Sequence, residues 1–132
     1  MSTNYSWYAN LIKPSFAPPA WLFGPVWTVL YIIIAITFIR VFYLAGTKVI
    51  PAIIVLPFIL NLIFNFAFTP IQFGLQNNYL AALDILLVLG TLVWAIISIW
   101  PYSRALAYAQ IPYLLWVCFA TVLQLTIAWL NR

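Results

Sequence analysis

Charged side chains are so scarce in this chain that they decide what it can fold into. Charged residues are 5% of the 132 residues and hydrophobic residues 67%, whereas about a quarter of an ordinary soluble domain is charged. Six charges cannot cover the surface of a water-soluble domain. They lie at or near the edges of long apolar runs: Lys13, Arg40, Lys48, Asp84, Arg104 and Arg132. This pattern predicts an integral membrane protein.

The apolar runs have the length of membrane crossings, which need about 20 residues each. We predict a single all-α membrane domain over residues 1–132, a bundle with helices at 21–44, 50–72, 79–99 and 103–131. Pro25 is expected in the first turn of its helix, and Pro57 is expected to bend the second helix inside the span. The last run would measure roughly 40 Å as one helix, so we expect a kink at Pro112 and projection beyond the bilayer.

Four crossings place both chain ends on the same side of the membrane, here called the near side. Lys13 and Arg132 then lie on the near side, and Arg40, Lys48 and Arg104 lie on the far side. Two basic residues against three do not determine the orientation. Because the basic residues are scattered singly, we expect no nucleic-acid partner.

Residues 1–20 form a segment rich in proline and aromatic residues. The segment lacks the basic start and apolar core of a secretory signal peptide, so we expect it to remain in the mature protein. Pro14, Pro18 and Pro19 keep this segment from forming a helix. We predict that it folds back as a cap over the near-side mouth of the bundle.

Polar residues form a stripe on the second predicted helix. Asn61, Asn65, Thr69 and Gln72 recur at intervals of four, four and three residues, so they share one helix face. One interpretation is that they bond to neighbouring helices as packing contacts, worth about 0.6 kcal/mol each. The other is that they form the polar side of a ligand pocket. The stripe alone does not decide between these interpretations.

Asp84 is the single carboxylate side chain and lies near the start of the third predicted helix. The helix dipole, with Lys13 or Arg132, could stabilise its charge. An intramembrane carboxylate is a candidate proton relay, although a shallow one is more often structural. With no histidine and only Cys118 besides, the sequence predicts no metal site and no intrachain disulfide.

Three of the seven tryptophans lie deep in the predicted spans, at Trp27, Trp94 and Trp116. Trp27 shares a helix face with Tyr31, and Trp116 shares one with Ala120. A flat ligand could meet indole faces there beside a small residue. Core packing is the commoner explanation for any one of these aromatic residues.

Several local motifs together resemble one known family. They are Trp7-Tyr8, Lys13-Pro14, Pro18-Pro19 with Trp21, the run GPVWTVLY at 24–31, the run PYLLWV at 112–117, and Leu130-Asn131. The chain resembles the translocator protein family, also called tryptophan-rich sensory proteins. The resemblance implies helices two to five of a five-helix bundle, because only six residues precede Trp7. It also implies a pocket beneath the loop that joins the family's first two helices, and often a homodimer in the lipid bilayer.

The resemblance extends to individual site residues. It places Trp27, Asn65, Phe68 and Trp116 in the ligand pocket, and the stripe and the aromatic faces add Tyr31, Asn61 and Ala120. A lid loop is expected from Phe16, Pro18, Pro19 and Trp21, with Phe16 standing where many members have tryptophan. The family's C-terminal sterol-contact motif is absent, so cholesterol transport is not implied.

Three functions follow as hypotheses. The first is binding of porphyrin, haem or another flat aromatic ligand for sensing or transport, with no required cofactor. The second is light-dependent oxidative degradation of porphyrin, with Trp27 and Trp116 as reactive side chains. No nucleophile and base pair in the sequence supports ordinary catalysis. The third is a small exporter that couples transport to protons through Asp84.

Overall fold

Four long apolar helices dominate the computed structural model of the chain. The model describes residues 11–17 and 20–131, without the side chains of Ala20, Gln72 and Phe73. The candidate membrane spans are Trp21–Gly46, Ala52–Thr69, Asn78–Ile99 and Arg104–Leu130. Each is long and apolar enough to cross a bilayer. The predicted all-α bundle of four membrane helices is therefore confirmed, and the protein is a multi-pass integral membrane protein.

Helix α1 runs without interruption over Ala20–Gly46. Because the helix begins at Ala20, Pro25 lies in its second turn rather than in the first turn as predicted. The proline lacks the N–H that would bond the carbonyl oxygen of Trp21. Trp21 is 71% exposed at the near-side end, where headgroups or water can bond that carbonyl group instead. The proline is thus tolerated at low cost.

The second span is built from three kinds of helix. A 3₁₀ turn at Ala52–Ile54 leads into α2, Val55–Thr69, which continues into a π-helical turn at Pro70–Gly74. Pro57 therefore lies in the first turn of α2, where no α-helical bond is lost inside the span. The reason for which a bend was predicted at Pro57, a backbone bond lost well inside the span, therefore does not hold. The change in helix type falls at Pro70, where the N–H of Leu75 reaches back to the Pro70 carbonyl oxygen at 2.9 Å.

Helix α3, Asn78–Ile99, is the central helix of the bundle. It packs along α2 on one side and along α5, Ile111–Leu130, on the other. Its buried residues recur every three or four positions, as expected for a helix with a broad packed face. They include Ala81, Asp84, Ile85, Val88, Thr91, Leu92, Ala95 and Ile99.

The last span is divided into α4, Arg104–Ala109, and α5. The helices meet at Gln110, two residues before Pro112, and the Gln110 N–H bonds the Ala107 carbonyl oxygen at 3.1 Å. This shorter-range bond replaces the α-helical pattern just before Pro112, which cannot donate to the carbonyl group of Tyr108. The predicted continuous helix over 103–131 is thus two helices, with the break slightly before the expected kink.

The outer surface of the bundle is as apolar as its core. Ile36, Ile39, Ile63 and Ile97 on three different helices are each more than half exposed. Water would not solvate such a surface, but the hydrocarbon of a bilayer would. Within the bundle, α1 docks on α2 through Phe38 and Phe58, whose rings meet edge to face with centroids 4.9 Å apart.

The N-terminal cap of α3 offers a direct test of this architecture. The Asn77 side chain accepts a hydrogen bond from the Leu80 N–H at 2.9 Å. We expect Asn77→Ala to lower the free energy of unfolding in detergent by about 1 kcal/mol, because that N–H loses its partner. Asn77→Asp keeps the accepting oxygen and serves as the control. A similar loss in both variants would rule out the cap as the cause.

Candidate functional site

Buried polar side chains from α2 and α3 meet in the middle of the bundle. Asn61 is fully buried, and its Nδ2 donates to the carbonyl oxygen of Val88 at 3.0 Å and to Oγ1 of Thr91 at 3.2 Å. The Thr91 hydroxyl in turn donates to the carbonyl oxygen of Leu87 at 2.8 Å. These bonds attach α2 to α3 at mid-membrane depth, where water cannot serve as a partner.

The hydroxyl of Tyr113 extends this cluster to α5. It donates to Oδ1 of Asn61 at 2.9 Å and accepts from Nδ2 of Asn65 at 2.6 Å. Tyr113 is fully buried, as a tyrosine can be when its hydroxyl is bonded. One phenol group therefore connects two successive asparagines of α2 with the last span.

Tyr31 brings α1 into the same set of bonds. Its hydroxyl donates to Oδ1 of Asn65 at 3.2 Å. Its ring lies 5.4 Å from that of Trp27 on one side and 6.1 Å from that of Phe66 on the other, measured between centroids. The five side chains Tyr31, Asn61, Asn65, Thr91 and Tyr113, called the polar network below, thus link all four membrane spans.

The polar network shows what the stripe on α2 does. Asn61 and Asn65 face other helices and bond to them, which is the packing interpretation. Thr69 is half-buried, and the side chain of Gln72 lies outside the described part of the chain. Tyr113 was not among the predicted site residues. The sequence could have indicated it, because Tyr113 lies four residues before Val117 on the buried face of α5, and a buried phenol needs a hydrogen-bond partner.

An open apolar groove lies between α1 and α5, on a different face of α1 from Trp27 and Tyr31. Its volume is about 710 Å³. The lining side chains are Leu22, Pro25, Val26, Val29 and Leu30 from α1 and Pro112, Leu115, Trp116 and Phe119 from α5. Trp116 is the one predicted ligand residue among them. Its Nε1 is buried and has no hydrogen-bond partner among the described residues.

The near-side segment 11–17 lies against the last helix. Asn131 accepts from the Ile12 N–H at 3.0 Å and donates to the Ile12 carbonyl oxygen at 2.8 Å. The Phe16 ring meets that of Phe119 with centroids 6.1 Å apart. Since Phe119 also lines the groove, the segment adjoins the near-side end of the groove. A short turn is closed by the Ala17 N–H on the Pro14 carbonyl oxygen at 3.0 Å.

The remaining predicted site residues are divided between the core and the near-side surface. Phe68 and Ala120 are partly buried and pack against the main hydrophobic core. Trp21 is the second residue of α1 rather than part of a loop, and Pro18 and Pro19 lie outside the described residues. The ligand and lid roles of all these residues stay predictions.

These features define a class, the polytopic helical membrane protein with a hydrogen-bonded interior and a groove that opens sideways. The model of the TspO/MBR family matches residues 1–130. The tryptophan-rich protein TspO of Bacillus cereus is 40% identical over 126 residues, which are 96% of this chain and 81% of that protein. The tryptophan-rich protein TspO of Archaeoglobus fulgidus is 37% identical over 128 residues, with 96% and 80% covered. The human translocator protein is 35% identical over 119 residues, with 89% and 70% covered. The chain belongs to the TspO/MBR family.

The Tyr113 hydroxyl should contribute measurably to the stability of the bundle. We expect Tyr113→Phe to lower the free energy of unfolding in detergent by about 1–2 kcal/mol, because it leaves polar atoms of Asn61 and Asn65 without a partner. Tyr108→Phe removes the same atom from a side chain that is 61% exposed, and should change stability by less than about 0.5 kcal/mol. Equal effects would contradict a structural role for the network.

Proposed function

We propose that this protein binds flat aromatic ligands of the tetrapyrrole class, porphyrin or haem, inside the membrane, so as to sense or move them. The observation behind this proposal is the groove between α1 and α5. Its volume of about 710 Å³ falls in the range of about 300–1,000 Å³ typical of small-molecule sites. Its lining is almost wholly apolar, with the indole of Trp116 and the ring of Phe119 available to a planar ligand.

The indole of Trp116 lines this apolar surface, and its buried nitrogen would bond a ligand only once the ligand displaces the neighbouring side chains. The ring is held from two sides, by Phe23 at 5.8 Å and by Phe119 at 5.5 Å between centroids. A buried N–H without a hydrogen-bond partner destabilises the protein by about 1–3 kcal/mol. A bound acceptor removes this penalty. Carbonyl and carboxylate groups on the rim of a porphyrin are acceptors of this kind. The groove therefore favours ligands that are apolar and planar and bear an acceptor.

The family supports the same proposal. The human relative is a translocator protein by name, and the relatives from Bacillus cereus and Archaeoglobus fulgidus are tryptophan-rich proteins by name. The near-side segment strengthens it physically, since Phe16 covers part of Phe119 at one end of the groove. A ligand there would be shielded at its near-side end and open to lipid along its side.

Blocking the groove tests the proposed location. Val29 lines the groove and is 57% exposed, so Val29→Trp should fill the space and weaken protoporphyrin binding about tenfold or more. The measurement is quenching of tryptophan fluorescence as protoporphyrin is added to the protein in nanodiscs. Ile36→Trp adds the same side chain on α1 at a residue that is 66% exposed but does not line the groove, and should bind as the wild type does. Unchanged binding in Val29→Trp would place the ligand elsewhere.

The role of the indole N–H is tested by Trp116→Phe, which keeps an aromatic ring and removes the donor. We expect the variant to bind mesoporphyrin dimethyl ester about 5- to 20-fold more weakly, because the ester carbonyl loses its partner. Etioporphyrin, which has only alkyl groups on its rim, should lose at most about twofold. Absorbance titration in nanodiscs compares the two ligands. An equal loss for both would show that Trp116 acts through its shape alone.

A further inference from the structure

Asp84 is a buried carboxyl group for which neither the packing nor the proposed function gives a purpose. It lies in α3 and is only 5% exposed. Its Oδ2 atom is buried and has no hydrogen-bond partner among the described residues. Lys13 and Arg132 were predicted as cationic partners of this carboxyl group. Lys13 Nζ donates to the Leu11 carbonyl oxygen at 3.3 Å, and Arg132 lies outside the described residues.

The face on which Asp84 lies follows from helix geometry. Asp84 and Thr91 are seven residues apart, so they lie on nearly the same side of α3, two turns from each other. Thr91 faces α2, since its hydroxyl accepts from Nδ2 of Asn61. Asp84 therefore faces α2 as well, about 10 Å closer to the near side than Thr91.

The depth of Asp84 follows from the hydrogen bond between Asn61 and Thr91, because α2 and α3 run in opposite directions. Seven residues beyond Asn61 on α2 is Phe68. Asp84 is therefore level with the turn of α2 that holds Asn65 and Phe68. Both of these were predicted to line a ligand pocket, and Asn65 is also held by Tyr31 and Tyr113.

The alignment of α5 along α3 places Trp116 at the same depth as Asp84. Gln124 Nε2 donates to the Asn78 carbonyl oxygen at 3.1 Å. The two helices are antiparallel, so Val117 on α5 and Ile85 on α3, each two turns from that bond, lie side by side. They are the sequence neighbours of Trp116 and Asp84. Two of the three buried polar atoms that lack a partner in the described part of the chain, the acceptor Asp84 Oδ2 and the donor Trp116 Nε1, thus lie at one level of the bundle on adjacent helices. The third is Gln110 Oε1.

We propose that Asp84 is a ligand-binding residue that accepts an N–H donor from a protonated amine on an aromatic ligand. A carboxylate inside a bilayer is costly without a positive partner, and an ammonium group both neutralises it and donates to it. An uncharged ligand of the same shape leaves that charge unpaired. The protein should therefore prefer cationic aromatic amines to their neutral counterparts. The inference rests on the proposed function only in requiring that aromatic ligands enter the bundle.

A matched pair of small ligands tests this preference. We would titrate 1-naphthylmethylamine, which is protonated at neutral pH, and 1-naphthylmethanol into the protein in phosphatidylcholine nanodiscs, with empty nanodiscs as the blank. Hydrogen bonds to charged groups are worth about 1.5–3 kcal/mol, so the wild type should bind the amine about 10- to 100-fold more tightly. Asp84→Asn should bind the two ligands within about twofold of each other. Asp84→Glu should keep a preference for the amine.

Chemical modification gives an independent measurement, since Asp84 is the one acidic side chain in the chain. Dicyclohexylcarbodiimide, which enters membranes, should label Asp84 in the wild type, as mass spectrometry of peptides would show. The amine should protect the residue and the alcohol should not. This result needs no variant, so it stands even if Asp84→Asn fails to fold.

Two results would overturn the proposal: a wild type without preference for the amine, or a preference that survives in Asp84→Asn. Equal protection of Asp84 by the two ligands would do the same. Protoporphyrin has no amine, so its binding is measured separately, on the wild type alone. Loss of porphyrin binding in the wild type would reject the proposed function, and the naphthyl pair would still decide the role of Asp84.

Discussion

The hydroxyl group of Tyr113 is the point on which the packing of the four helices depends. In a bilayer the hydrophobic effect does not drive helices together, because lipid tails are as apolar as leucine side chains. Close packing and hydrogen bonds between helices take its place. Tyr113 bonds both Asn61 and Asn65, and through them reaches Tyr31 on α1 and Thr91 on α3. A single phenol thus bonds α5 directly to α2 and, through the two asparagines, connects it to α1 and α3.

Three buried polar atoms have no hydrogen-bond partner among the described residues, and all three lie outside the polar network: Asp84 Oδ2, Gln110 Oε1 and Trp116 Nε1. The polar network uses its donors and acceptors on one another, so its members have an evident structural purpose. Trp116 Nε1 and Asp84 Oδ2 are equally buried and have no such partner among the described residues. Natural proteins seldom leave buried polar atoms unbonded, and a ligand that supplies the missing partner is one physical reason to keep them. The proposals above give such a ligand partner to Asp84 and Trp116, whereas Gln110 lies at the break between α4 and α5.

The features of this structure that could be predicted from the sequence are those that depend on residues close together along the chain. The length of an apolar run is a property along the chain, so the four spans were predictable. Caps are local too, and Asn77 precedes its helix as the rule for N-caps requires. The role of Pro57 was misjudged because it depends on where the α-helix begins. The partner of Asn61 and the groove beside Trp116 depend on how each helix is rotated about its axis, which no single apolar run specifies.

The contacts of α1 differ between its two sides. Tyr31 joins α1 to the polar network by its hydrogen bond to Asn65 on α2, and the rings of Phe38 and Phe58 meet on the same side of α1. On its other side α1 faces α5 across the groove, where the contacts are apolar and include the edge-to-face ring pair of Phe23 with Trp116. Separating α1 from α5 therefore breaks no hydrogen bond of the network, whereas separating α1 from α2 removes the Tyr31 bond. The groove side of α1 is therefore held by apolar and aromatic contacts, whereas the polar network bonds α2, α3 and α5 to one another on the other side.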